Sequence, residues 1–149
     1  MLKAGRSVAG FTLVELVIII VVLGILASFA IPKYIDFLNE SKITATKSEM
    51  ATIKRAIVGN AQLTSGGQYT DIGFLGNIGS PPANLVDLVR KPDSLAAYNS
   101  LSRLGWHGPY LDSSNGDYLR DAWGSNYVYN PAARTITSVG SGTSIVVSF

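Results

Sequence analysis

From Phe11 to Ile31 the chain is apolar on every side and carries a single charged residue, Glu15, before Pro32 interrupts the run. A helix of about 20 apolar residues crosses a bilayer, so a membrane span is expected at about residues 11–31. Beyond Pro32 the pattern turns amphipathic. Ile43, Met50, Ile53, Ile57 and Ala61 recur at helical spacing, while Lys42, Lys47, Glu49, Lys54 and Arg55 occupy the other face, the stripe of a helix laid against a domain. One continuous helix is expected over residues 11–64, on the order of 80 Å long at 1.5 Å per residue. Pro32 lacks an amide proton and clashes with the preceding turn, so it is expected to kink that helix. Thr64-Ser65-Gly66-Gly67 is expected to end it.

The remaining pattern is that of a small head, residues 65–149. From Gln68 to Asn84 no period persists and Gly73, Gly76, Gly79 and Pro81-Pro82 read as an irregular connection. Ala83 to Val89 predicts a short helix stopped by Lys91-Pro92. Leu104 to Leu111 sets aromatics between turn residues and reads as a packed loop. Asn126 to Tyr129 and Arg134 to Val139 flank a turn at Asn130-Pro131, and Ser144 to Phe149 supplies a third short strand. Tyr127 and Tyr129 are expected on one face of this antiparallel sheet and Val128 on the other. The fold class is α+β: a long N-terminal helix, transmembrane in its first half, packed on a small head with a short antiparallel sheet.

Charge and composition narrow the function. The net charge of +2 resides in Lys3 and Arg6, and the rest of this 149-residue chain holds ten basic and ten acidic residues. Such a chain lacks the single-sign basic face that nucleic-acid binding uses, so nucleic acid is not expected as a primary partner. With no cysteine there is no disulfide and no thiolate chemistry. The one histidine, His107, reads as a loop residue. The glycines at 73, 76 and 79 are not set between a strand and a helix, and no phosphate-cradling motif occurs. No catalytic residue is assigned and the chain reads as a non-enzyme.

Residues 1–10 are short, basic and free of acids, as expected of a leader held on the cytoplasmic side of a membrane. A secretory signal cut after Ala30 is one reading and a plain signal anchor another. Against the first stand the length of the run and Glu15 within it. An acidic side chain in a membrane segment asks for a partner. Gly10-Phe11-Thr12-Leu13-Val14-Glu15, with the apolar run after it, resembles the N-terminal motif of type IV pilins and the pseudopilins of type II secretion systems. The resemblance implies that a prepilin peptidase cuts after Gly10 and methylates Phe11, that Glu15 is the family's glutamate, and that Pro32 is its kink proline.

The head adds to this. His107-Gly108-Pro109-Tyr110-Leu111, then Asp121-Ala122-Trp123-Gly124-Ser125-Asn126-Tyr127-Val128-Tyr129, then Thr137 to Gly142 resemble the major pseudopilin, with Ala122 in place of a proline and Ser141 where the last motif runs on to an aspartate. The resemblance implies a calcium ion in the final loop, yet residues 140–149 contain no Asp or Glu, and calcium affinity owes much to carboxylate charge. Asp112, Asp117 and Asp121 lie upstream and read as solvated loop carboxylates; no metal is assigned. Phe11, Phe29, Tyr34 and Phe37 read as subunit packing.

The expected function is a structural filament subunit. The main reading is the major pseudopilin of a type II protein secretion system, anchored in the inner membrane with its head in the periplasm. The alternatives are a subunit of a surface type IV pilus and a monomeric membrane-anchored binding domain. Implied partners are identical subunits, prepilin peptidase, inner-membrane assembly machinery and minor pilins or pseudopilins. In the filament, Glu15 is expected to meet the Phe11 amine of a neighbouring subunit, neutralising two charges that would each be costly buried alone.

Overall fold

The computed structural model describes residues 10–113 and 118–149. The expected leader up to Ala9, with Lys3 and Arg6, and the carboxylate of Asp117 lie outside the described residues. The chain divides into two units, Met1–Asn39 and Glu40–Phe149.

The first unit is the N-terminal part of helix α1, which spans Leu13–Val58 and is continuous through Pro32. Every described residue of this unit is exposed, among them Leu16, Ile20, Leu23, Leu26, Phe29 and Phe37. This apolar surface is the one helix among the described residues long and apolar enough to cross a membrane.

In the second unit, α1 contributes Thr46, Met50, Ile53, Ala56 and Ile57 to the core. Met50, Ile53 and Ile57 are the stripe expected from sequence; Ile43 is half-buried and Ala61 is exposed. Ala61 leaves the stripe because the helix ends at Val58, six residues before the expected stop at 64. Gly59 takes φ 80° and returns its N–H to the Arg55 carbonyl at 2.7 Å, a left-handed cap that glycine adopts without steric cost. A side chain there would strike the Asp71 carbonyl, and one at Gly73 would strike the Gly59 amide. The two glycines let the backbones cross.

After α1 the chain forms a hairpin rather than more helix and a loop. Strand β1 (Asn60–Ser65) pairs antiparallel with β2 (Gln68–Asp71), and Ser65 opposite Gln68 leaves Gly66-Gly67 as a two-residue turn. Both glycines have positive φ, the conformation that matches strand twist in the tightest hairpins. Helix α2 (Gly73–Ile78) then occupies part of the stretch expected to be irregular, holding Phe74 and Asn77 buried and stopping at left-handed Gly79. The helix expected over Ala83 to Val89 is a single 3₁₀ turn, Leu85–Leu88, closed by an Asn84/Asp87 capping box.

Strands β3 (Val128–Asn130), β4 (Thr135–Ser138) and β5 (Ile145–Ser148) form the expected antiparallel sheet. Tyr129, Ile136 and Val147 lie in one cross-strand row and pack on the core, with Ile136 fully buried, while Val128 and Val146 face outward. The sheet and its approach are pinned by polar tips on apolar rings. The Tyr127 hydroxyl donates to Glu49 on α1 at 2.9 Å, and that of Tyr129 to the Pro82 carbonyl at 2.8 Å. Burial, then the bond to Glu49 and its charge, push the Tyr127 phenol up from its ordinary range.

The 104–111 loop is ordered around Tyr110. Its hydroxyl accepts the His107 amide at 2.9 Å and the Asn77 side-chain amide at 3.1 Å, and its ring meets Phe74 and Trp106 edge-on. Trp106 donates its indole N–H to the Asp87 carbonyl at 2.8 Å. His107 is exposed, its ring 4.1 Å from that of Tyr98.

Candidate functional site

The N-terminal end of α1 carries the processing and assembly residues. Gly10 is exposed, with no atom near the place a side chain would take. Phe11 is 74% exposed. The first helical residue is Leu13, which makes Thr12 the N-cap. The Glu15 amide donates to the Thr12 hydroxyl oxygen at 3.2 Å, while the Thr12 amide and hydroxyl donate to Glu15 Oε2 at 2.9 and 2.8 Å. This is a capping box: each side chain satisfies a helix-end amide of the other residue.

Glu15 therefore has a partner within its own chain. Its carboxylate stands in the first turn, where the helix dipole favours an anion. Thr12 is the residue that sequence reasoning passed over. The signal was present, because Thr12-Leu13-Val14-Glu15 spells the T-x-x-E pattern ahead of an apolar run. Gly10, Phe11 and Glu15 are close in sequence and share the exposed N-terminal end, whereas Pro32 lies farther along α1. Exposed Phe29, Tyr34 and Phe37 add aromatic surface to the same apolar helix.

The head holds a second polar centre, at Asp121. This side chain is 5% exposed, which corrects the expectation of a solvated carboxylate. Oδ1 accepts the amides of Trp123 and Ser125 at 3.0 and 2.9 Å; Oδ2 accepts the Ser138 hydroxyl at 2.6 Å and the Gly140 amide at 3.0 Å. Burial opposes its charge, and the bonds from Ser138, Ser125, Gly140 and Trp123 outweigh it, holding the carboxyl below the usual carboxylate range.

These contacts do not fit a calcium site. An ionised carboxylate has about four lone-pair positions, and four N–H or O–H donors fill them. Asp112 is exposed on the loop after Leu111. Among the described residues no group of three His, Cys, Asp or Glu side chains gathers around one point.

Comparison with known proteins bears on the helix end first. Residues 5–31 match the family described as the prokaryotic N-terminal methylation motif. The type IV major fimbrial protein FimA of Dichelobacter nodosus is 39% identical over 95 residues, covering 55% of this chain and 59% of that protein. The type IV major alpha-pilin of Moraxella bovis is 46% identical over 48 residues, 32% of this chain and 30% of that protein. A fimbrial protein of Pseudomonas aeruginosa is 41% identical over 51 residues, 34% of this chain and 33% of that protein. The chain thus spans about a third to three-fifths of the length of these relatives. No solved structure matches it. The methylation motif stands at the start of a membrane-length helix, and such a helix with an α+β head of antiparallel strands is consistent with the type IV pilin fold.

Proposed function

We propose that this protein is the structural subunit of a pilus-like filament, assembled through the apolar N-terminal part of α1. The observation that carries this reading is an unburied apolar helix surface with one carboxylate, Glu15, held at its N-terminal end by Thr12. A membrane covers such a surface before assembly, and neighbouring helices cover it afterwards. Prepilin peptidase cutting after Gly10 creates an amine at Phe11. In a low-dielectric filament core that amine attracts the Glu15 carboxylate of a neighbour, and the pair sets the axial register between subunits. Before assembly the subunit stands in the inner membrane with its head in the periplasm.

The names of the relatives favour a surface type IV pilus as the setting. The head stretches at 107–111 and 121–129 favour the second setting, the pseudopilus of a type II secretion system, where prepilin peptidase, inner-membrane assembly machinery and minor pseudopilins are the partners. Deletion separates the two: loss of external filaments with normal secretion supports the surface pilus, and accumulation of secreted proteins inside the cell supports the pseudopilus. Assembly through the Glu15 carboxylate is tested by Glu15→Leu in the full chain, expressed with its assembly machinery. The variant is expected to be processed and membrane-inserted yet to yield few or no filaments. Filaments at the normal yield would rule out charge pairing as the contact that sets register.

A further inference from the structure

The connection between β4 and β5 is where the resemblance implies a calcium ion and where the donor chemistry argues against one. Three features of the head bear on what holds this connection instead. First, the contacts on the Asp121 carboxylate come from hydrogen-bond donors: the amides of Trp123, Ser125 and Gly140 and the hydroxyl of Ser138. A cation needs lone pairs aimed at it, whereas these groups aim hydrogens at an anion. Second, the loop is pressed onto the carboxylate. A side chain at Gly140 would collide with both Asp121 oxygens and with Trp123 Cβ, so Asp121 fills the space beside the loop backbone.

Third, the carboxylate sits at a junction of separate segments. Its own turn is closed by Asp121 N–H to the Ser125 carbonyl and Gly124 N–H to the Asp121 carbonyl, both at 2.8 Å. The same turn is tied to α1 by the Ala122 amide, which donates to the Thr46 hydroxyl at 3.2 Å. Ser138 ends β4 and Gly140 lies in the connection to β5. One buried anion thereby joins the helix-bound turn to the last hairpin, the task a multivalent cation performs when it gathers oxygen ligands from distant segments.

We propose that Asp121 is a hydrogen-bonded clasp standing in the place of a metal, so that the head of this protein folds, and its filaments grow, independently of calcium. The proposal concerns the head and stands apart from the choice between surface pilus and pseudopilus.

The test is thermal unfolding of the full chain in detergent micelles, with calcium chloride or with a chelator, for the unaltered protein, Asp121→Asn and Ser138→Ala. The unaltered midpoint is expected to be the same in calcium and in chelator. Asp121→Asn turns an acceptor into a donor against four donors and is expected to lower the midpoint by on the order of 10 °C in either solution. Should it fail to fold, Ser138→Ala decides: it keeps the charge, removes one clasp bond, and is expected to lower the midpoint by roughly 5 °C whatever the calcium level. A saturable rise of the unaltered midpoint with calcium that Asp121→Asn abolishes would overturn the proposal, as would a Ser138→Ala variant as stable as the parent.

Discussion

At the scale of single residues, two carboxylates are satisfied by different means. Glu15 is satisfied by the residue three positions earlier, and its bonds to Thr12 are local enough to exist in any isolated α1. Thr12→Ala removes the N-cap. In micelles it should make amide exchange in the first turn roughly fivefold faster, which hydrogen-exchange NMR of residues 12–16 would show; unchanged exchange would mean that the cap is idle. Asp121 is satisfied by groups up to 19 positions away, so its effect is on the whole head.

Because its folded pKa is lowered, the stability that Asp121 contributes is complete above the unfolded carboxylate value, about 3.9, and is lost as pH falls below it through the folded pKa. Burial, the bond to Glu49 and the charges of Glu49 and Asp121 push the Tyr127 phenol up. Acid titrations of the melting midpoint should therefore fall more steeply for the unaltered protein than for Asp121→Asn. Parallel curves would show that other carboxylates carry the acid sensitivity.

At the scale of elements, glycines decide where the long helix gives way to the head. Sequence periodicity continues to Ala61, and Gln62 and Leu63 are acceptable in a helix, which is why a helix to residue 64 is the natural expectation. The chain turns at Gly59 because the Asp71 carbonyl occupies the space a side chain needs, a fact of tertiary approach that no local pattern contains. The hairpin at Gly66-Gly67 was not expected, although a Gly-Gly pair between strand-length segments is a hairpin signal in its own right. Gly59→Ala should cost about 1–3 kcal/mol for the left-handed backbone, with the collision added. Gly66→Ala has the same backbone problem in open space and should cost about 1–2 kcal/mol. Denaturant unfolding of both variants checks the order, and equal losses would mean that the crossing at Gly59 and Gly73 can relax.

At the scale of the molecule, legibility tracked the kind of interaction involved. The membrane-length helix was plain because continuous apolarity is a property of sequence alone. The three-stranded sheet was plain because Asn126 to Tyr129, Arg134 to Val139 and Ser144 to Phe149 are short β-prone runs between turn residues. Helix α2 was hidden because it is six residues long and holds two glycines; it persists by burying Phe74 and Asn77. The Asp121 clasp was hidden because its donors are mostly backbone amides, which every sequence contains and only a fold can aim.

The central claim is that this chain enters a filament after processing at Gly10. The intact mass of the protein purified from native membranes tests it most directly. The predicted result is a chain that begins at Phe11 and carries one added methyl group. A mass that retains Met1 to Gly10, or one that corresponds to cleavage after Ala30, would contradict it.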